Sequence, residues 1–341
     1  MGMRVLIVGA GAIAYRHAAA CRDLESAELI GVCDVRAEAA AALADRFDVP
    51  ARYTDLDTLL SDHAPDLAIV ATWGAFHAEV VQRLARSGRV RAILCEKPLA
   101  MNADQAREMF AVAEQAGVLL AEAFRLRSQP IHLRAMELLR SGRIGEVVHV
   151  RNAMAWPLPA QDRDPDRNWR FNKANGGGVT FDIGCYCINH LRWALDAEPE
   201  SVMAMGRWGP TGVDEHVTAN ASFAGGRTAE WCVSWHAGPT HVSEVLGTEG
   251  VIRIQNAWGD GPGTAITLEI VDRRRGREVE EFPPTDQFWL QLEHMKDCLE
   301  HGTPHRISPA NSIAQMQVID AVYASLATGS PATLARSAHD V

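Results

Sequence analysis

"RVLIVGAGAIA", residues 4 to 14, runs from an unbroken apolar stretch into Gly9, Gly11 and Ala14 in a GxGxxA pattern. A stretch with no polar alternation reads as a strand covered on both faces, and the glycines open an alanine-rich segment with a helical pattern near 12 to 22. In such a strand-turn-helix the backbone N–H groups of Gly9, Gly11, Ala12 and Ile13 can cradle a pyrophosphate at the helix N-terminus. Asp34 stands 23 residues past Gly11, at the end of the next apolar run, "AELIGVCD" (27 to 34), placed to bind a ribose hydroxyl. A carboxylate there repels a 2′-phosphate and favours NAD, while Arg36 softens that preference and keeps NADP open. A glycine turn that binds nothing is the other reading of this stretch alone.

The same pattern continues outward. "DLAIVAT" (66 to 72), "RAILCEK" (91 to 97) and "GVLLAEAF" (117 to 124) are further buried-strand runs, separated by helical patterns near 36 to 46, 55 to 61, 76 to 87 and 103 to 116. Strand and helix in alternation predict a parallel doubly wound α/β sheet. Past residue 125 the character changes. A helix near 128 to 141 is followed by "EVVHVRNAMAW" (146 to 156) and longer alternating strands through 200 to 283, read as a large, open, mostly antiparallel sheet with one solvated face. Two helices follow, near 286 to 301 and 309 to 327, the second with Ser308 as N-cap and Pro309 at its first position. Two domains are expected, 1–124 and 125–341, closely joined with a cleft between them.

Composition narrows the function. The chain has 341 residues, 47% hydrophobic and 22% charged, the make-up of a soluble globular protein. Its 33 Lys and Arg against 43 Asp and Glu leave a net charge of −10, which disfavours nucleic acid or an anionic membrane and points to a small-molecule ligand. Seven cysteines, mostly in apolar runs, read as reduced core thiols of a cytoplasmic protein. No apolar run reaches the roughly 18 residues of a membrane span, and the opening "MGMRVL" leads into a strand rather than a signal peptide. The thirteen histidines show no metal-ligand spacing, so no metal is expected.

Two further motifs carry chemistry. "CEKPLA" (95 to 100) places Glu96, Lys97 and Pro98 at the C-terminal end of the fifth strand, where open α/β sheets bind ligands; Lys97 then points toward a cofactor, unless it is an ordinary solvated lysine. "GGGVTFDIGCYCINH" (176 to 190) sends three glycines into Asp182, Tyr186, Asn189 and His190 at about one-turn spacings, which lets Asp, Tyr and His share a helix face. Packed helix and active-site helix are both consistent with that spacing.

Taken in order, "VGAGAIA", "ATWGAFHAE" (71 to 79), "EKP" and "GGGVTFDIGCYCINHLRW" resemble the signatures of the glucose-fructose oxidoreductase and inositol dehydrogenase family (Gfo/Idh/MocA), over essentially the whole chain. The resemblance implies an N-terminal Rossmann domain, and a C-terminal domain whose open sheet forms homodimer or homotetramer contacts and whose helix after the glycines lines the active site. In that family this helix carries an Asp and, four residues on, a His that work with the EKP lysine. Asp182 matches the Asp and Tyr186 stands at the His position, as in the branch with glucose-fructose oxidoreductase and the dihydrodiol and xylose dehydrogenases. The pattern gives His190 no role. Thr72, Trp73 and His77 are expected to border the cofactor with Glu96. Trp169 and Arg170 of "NWRFN" are expected to touch its ribose or the substrate, and Arg125 and Trp156 the substrate.

The chemistry is coherent on its own terms. Oxidising an alcohol by hydride loss requires a base for the hydroxyl proton. A phenol with a pKa near 10 is a poor base at neutral pH until an ammonium beside it favours the phenolate. Tyr186 is therefore read as the acid/base, Lys97 as tuning it and holding the substrate oxygen, and Asp182 as orienting Lys97 or a sugar hydroxyl; Lys97 as the base itself stays open. Tryptophans 156, 169, 235 and 258 add flat apolar rings suited to sugar C–H faces. The reading is an NAD(P)-dependent oxidoreductase acting on a sugar or cyclic polyol. Its alternatives are a trans-dihydrodiol-type dehydrogenase, an NAD-using non-redox glycosidase-like enzyme, and an inactive NAD- or sugar-sensing regulator, against which the presence of both Lys97 and Tyr186 argues.

Overall fold

A computed structural model of the chain describes residues 2–259 and 266–334. The structure divides into two units: the chain up to Ser128 together with Asp286–Ile313, and Gln129–Thr285 together with the chain from Ala314 on.

The first unit alternates β1 (Met3–Val8), α1 (Ala12–Asp23), β2 (Ala27–Cys33), α2 (Ala37–Arg46), β3 (Arg52–Tyr53), α3 (Leu56–Asp62), β4 (Leu67–Val70), α4 (Gly74–Arg86), β5 (Ala92–Glu96), α5 (Ala103–Gln115) and β6 (Leu119–Ala123). All strand pairs are parallel, in the order β3-β2-β1-β4-β5-β6 of dinucleotide-binding sheets. Every residue of β4 and β5 is buried, as the apolar runs required. The parallel doubly wound sheet expected from the sequence is the one observed.

The second unit holds α6 (Pro130–Arg140), β7 (Val147–Ala155), a π-helical turn (Thr180–Gly184) that leads straight into α7 (Cys185–Leu195), then β8 (Ser201–Trp208), β9 (Asp214–Ser222), β10 (Thr228–Ser234), β11 (Thr240–Gly247), β12 (Gly250–Gln255), β13 (Ile266–Asp272) and β14 (Gly276–Phe282). With a short last strand at Ala332–Thr333, the sheet has nine strands, ordered β14-β13-β12-β11-β7-β10-β9-β8 and then that strand. It is antiparallel except where β7 meets β10. Its inner face carries α7, pinned by the Asn152 side-chain amide donating to the Cys187 carbonyl at 2.9 Å. Its outer face carries a row of alternating charges in register across the strands: Glu230, Arg151, Glu244, Arg253 and Glu269, paired at 3.0, 3.6, 2.7 and 3.3 Å.

Two helices, α8 (Gln287–His301) and α9 (Pro309–Thr328), lie between β14 and the strand at Ala332–Thr333. Ser308 Oγ accepts the Asn311 N–H at 3.2 Å and Pro309 is the first helical residue, as read from the sequence. Residues 286–313 group with the first unit, so this unit takes in a segment from beyond residue 125. Phe288, Leu292 and Met295 of α8 join the core built on Val5, Ile7, Leu67 and Leu94. The Phe288 ring stands edge-on to His17 of α1, with centroids 5.0 Å apart. An amphipathic helix shows in its sequence that it needs a partner surface and not which surface that is.

His294 of α8 is kept neutral, its pKa pushed down to about 4 by burial and by the nearby Arg306 charge. Its Nε2 accepts the Arg306 N–H at 3.1 Å, which a protonated ring cannot do. The unfolded chain, with an ordinary value near 6.5, binds the proton first, so stability is expected to fall as pH drops from about 6.5 toward 4. Urea unfolding across that window checks this, and His294→Gln is expected to flatten the slope.

Candidate active site

The nucleotide end of the first unit is built by close backbone approach. Gly9 has φ +96, and a Cβ there would lie 2.6 Å from the Ala71 carbonyl oxygen and 2.7 Å from the Thr72 nitrogen. Only glycine lets the ends of β1 and β4 meet so closely. Gly11, the N-cap of α1, has nothing within 4 Å of a built Cβ, and no side chain caps the helix. The N–H groups of the first turn, around Ala12 and Ile13, are left uncapped in open space, the arrangement that accepts an anion. Asp34 braces this loop: Oδ2 accepts the Ala10 N–H at 2.7 Å and Oδ1 the Arg36 N–H at 2.9 Å. The Arg36 guanidinium lies 3.5 Å from Oδ1 and is 59% exposed, so cation and carboxylate occupy one rim.

At the end of β5 Glu96 is buried. Burial alone would raise its carboxyl pKa, but His17 Nε2 at 2.7 Å, the Lys97 charge and the Lys97 N–H at 3.2 Å hold it below the ordinary value. The Lys97–Pro98 peptide is cis, and Lys97 itself is half-buried. His77 lies beneath this turn, 1% exposed, with Nδ1 3.1 Å from the Pro98 carbonyl and Nε2 3.1 Å from the Thr72 carbonyl. Burial pushes its pKa down, so the neutral ring donates from one nitrogen at a time. Trp73 and Phe76 are 41% and 45% exposed, their centroids 6.5 Å apart, an uncovered aromatic pair where β4 gives way to α4. Arg125 donates to Gln287 Oε1 at 2.7 Å and lies over the Phe288 ring.

In the second unit the three glycines have a definite job. A Cβ on Gly177 would come within 2.5 Å of the Arg170 carbonyl oxygen and 2.7 Å of that of Trp169, and Gly178, at φ +128, is packed against Asp214 and Tyr323. The "NWRFN" loop therefore lies directly on the helix start. There Arg170 Nε meets Asp182 Oδ2 at 2.6 Å while its guanidinium covers the Trp169 ring. Asp182 is in the π-helical turn and Tyr186 in the first turn of α7, both buried. π-turns inside α-helices recur at functional sites, and this one changes the even spacing that the sequence implied.

One sequence expectation shifts here. His190, to which the family pattern gives no role, is fully buried among His132, Trp258, Asn152 and Ser243. Trp235 packs on Phe171 at 4.8 Å, and Trp258 stacks on His132 and donates to the Ala153 carbonyl. Both are core residues rather than sugar platforms. Trp156 and Trp169 remain half-buried, Trp156 tilted 6.0 Å from His241.

Residues 3–124 match the model of the oxidoreductase family with NAD-binding Rossmann fold, and residues 132–253 match the GFO/IDH/MocA C-terminal domain. The chain is 31% identical to D-xylose 1-dehydrogenase (NADP(+)) 2 of Haloferax volcanii, over 86% of this chain and 88% of that one. It is 30% identical to trans-1,2-dihydrobenzene-1,2-diol dehydrogenase of Mus musculus over 94% of each chain. The chain belongs to the Gfo/Idh/MocA family. A solved 3-ketoreductase from Actinomadura kijaniata, in complex with NADP and TDP-benzene, superposes with a TM-score of 0.86 at 26% identity, covering 96% of this chain and 98% of that one.

As a Gfo/Idh/MocA protein it is an NAD(P)-dependent oxidoreductase, and the open cradle at Gly9 and Gly11 fits the dinucleotide. The supports that sequence reading missed are His17 behind Glu96 and, in the second unit, Asp214, Glu215, Arg163, His236 and Tyr323. Asp214 is buried, which raises its carboxyl pKa despite hydrogen bonds from Thr180 and Tyr323. None of these residues stands in a motif. Only long-range register brings them to the site.

Asp34→Ala removes the brace on Ala10 together with the carboxylate expected from the sequence to bind the ribose. It is expected to weaken NAD about tenfold or more and to narrow any advantage of NAD over NADP. Fluorescence titration with each cofactor checks this, and an unchanged preference would remove the ribose assignment. Arg36→Ala is expected to weaken NADP selectively.

Proposed function

We propose that this protein moves a hydride between NAD(P) and a hydroxyl-bearing or keto carbon of a sugar or related cyclic polyol, with NAD preferred. The observation that carries this reading is Tyr186 one helical turn beyond the buried Asp182, which is paired with the half-buried Arg170, in a chain related to a xylose dehydrogenase and a dihydrodiol dehydrogenase. Bound nicotinamide supplies the hydride acceptor or donor. The protein's part is to take the hydroxyl proton as the alcohol carbon loses its hydride, and to return it in reverse. Tyr186 is the acid/base, Lys97 holds the substrate oxygen and favours the phenolate, and Asp182 orders the hydroxyls beside it. Gly9, Gly11, Ala12, Ile13 and Asp34 hold the dinucleotide, with Thr72, Trp73, Trp169 and Arg170 at its borders. Glu96 and His77 shape the turn that presents Lys97, and Arg125 and Trp156 contact substrate.

A cyclic diol of aromatic origin is the second reading, favoured by the exposed Trp73–Phe76 pair and by the name of the mouse relative. The partly apolar outer face of the second unit's sheet, with Met205 and Val279 exposed, supports a homodimer or homotetramer formed through it, which light scattering tests. Among the described residues no helix is long and apolar enough to cross a membrane. Seven free cysteines support a reducing, cytoplasmic setting.

Absorbance at 340 nm with NAD and then NADP, across aldoses, inositols, anhydrosugars and aromatic dihydrodiols, tests the proposal. Lys97→Ala and Tyr186→Phe are each expected to cost about 100-fold or more in turnover with cofactor binding nearly intact. The double variant is expected to lose little beyond the worse single one, as groups serving one proton transfer do. Silence across the panel with cofactor bound would transfer the reading to the non-redox enzyme or the sensor.

A further inference from the structure

β9 begins with two acidic residues, Asp214 and Glu215, that face opposite ways, and both carboxylates are buried at 1% exposure. Asp214 reaches the helix start. Its Oδ2 accepts the Thr180 N–H at 2.8 Å and its Oδ1 the Tyr323 hydroxyl at 2.9 Å. A helix start leaves N–H donors without partners, and a local Ser, Asp or Asn normally takes one. Val179, at the N-cap of the π-turn, makes no side-chain cap bond, so a carboxylate from another strand does this work. Gly178 is the residue that lets it approach.

Glu215 reaches the loop instead. Its Oε2 takes Arg163 Nη1 at 3.1 Å and His236 Nε2 at 2.6 Å. Arg163 in turn donates through Nε and Nη2 to the Leu158 carbonyl at 3.0 and 2.8 Å, closing the start of the segment that ends at Trp169 and Arg170. Gly209 leaves room for Oε1. At its far end the segment is tied down by the Gly178 N–H donating to the Arg170 carbonyl at 2.9 Å.

We infer that Asp214 and Glu215 are positioning residues that fix the Asp182–Arg170 ion pair from both sides, Asp214 through the π-turn that carries Asp182 and Glu215 through the loop that carries Arg170. The functional part of this inference rests on the proposed role of Asp182. A merely structural carboxylate would stabilise the fold without coupling to Asp182, and that difference is measurable.

The experiment is a double-mutant cycle on the purified full chain with D-xylose and each of NAD and NADP, joined to hydrogen exchange by mass spectrometry. Asp214→Ala is expected to lower kcat about tenfold or more while NADP affinity stays within about threefold, and to add little in an Asp182→Asn background. Amides of residues 178–186 are expected to exchange faster. Asp214→Asn retains an oxygen for the Thr180 N–H and is expected to recover turnover to within about threefold. In Glu215→Gln the faster exchange is expected over 163–172. Losses that multiply with Asp182→Asn, or exchange over 178–186 that does not change, would overturn the inference. Full turnover in Asp182→Asn removes the proposed catalytic role; in that case, or where the parent does not turn over D-xylose, the exchange data alone decide whether the two carboxylates position the pair. Should Asp214→Ala not fold, Tyr323→Phe and Arg163→Met, which leave both carboxylates in place, carry the same cycle.

Discussion

Backbone packed on backbone at Gly177 is the constraint from which the second unit's site follows. With the Trp169 and Arg170 carbonyl oxygens where a Cβ would have to be, the loop and the helix start form one piece of structure, and Arg170 reaches Asp182 at 2.6 Å. An alanine there would separate them by more than the length of that bond's tolerance. Burying a lone carboxylate such as Asp182 is costly unless a cation and hydrogen bonds accompany it. The glycine thus acts at a distance in sequence: it admits the arginine that makes the buried aspartate possible.

The first unit uses the same economy at its strand ends. Asp34 after β2 and Glu96 at the end of β5 each accept an N–H from the chain just beyond the strand and a second donor from elsewhere, Ala10 in one case and His17 in the other. Each carboxylate therefore fixes the loop that follows its strand. Loops at this edge of a parallel sheet carry the ligand-binding groups, and they are held by buried charge because they lack the ladder of hydrogen bonds that holds strands. His77 adds a third such tie, joining the turns after β4 and β5 through its ring.

What the sequence revealed follows from how local each signal is. The parallel sheet was legible because each buried strand is apolar over its own few residues, and the cradle because its glycines adjoin the strand they end. Ser308 was readable as a cap for the same reason. The placement of α8 was not, since Phe288 and Leu292 look alike whichever core receives them. Asp214 and Glu215 left no signal, because a strand that begins with two carboxylates ordinarily begins in water. The π-turn was hidden as well: Asp182 and Tyr186 have the spacing of an α-helix, and nothing in the composition of the turn marks the extra residue.

The charge of the second unit's site also limits what it receives. Arg170 is matched by Asp182, and Arg163 by Glu215, so neither arginine presents an unbalanced cation to a ligand. A carboxylate or phosphate on the substrate would have to compete with Asp182 for the Arg170 guanidinium, and would bring a like charge to a buried aspartate. Neutral hydroxyls meet no such penalty. On the proposed role of these residues, a substrate of uncharged hydroxyls is favoured over sugar acids and sugar phosphates.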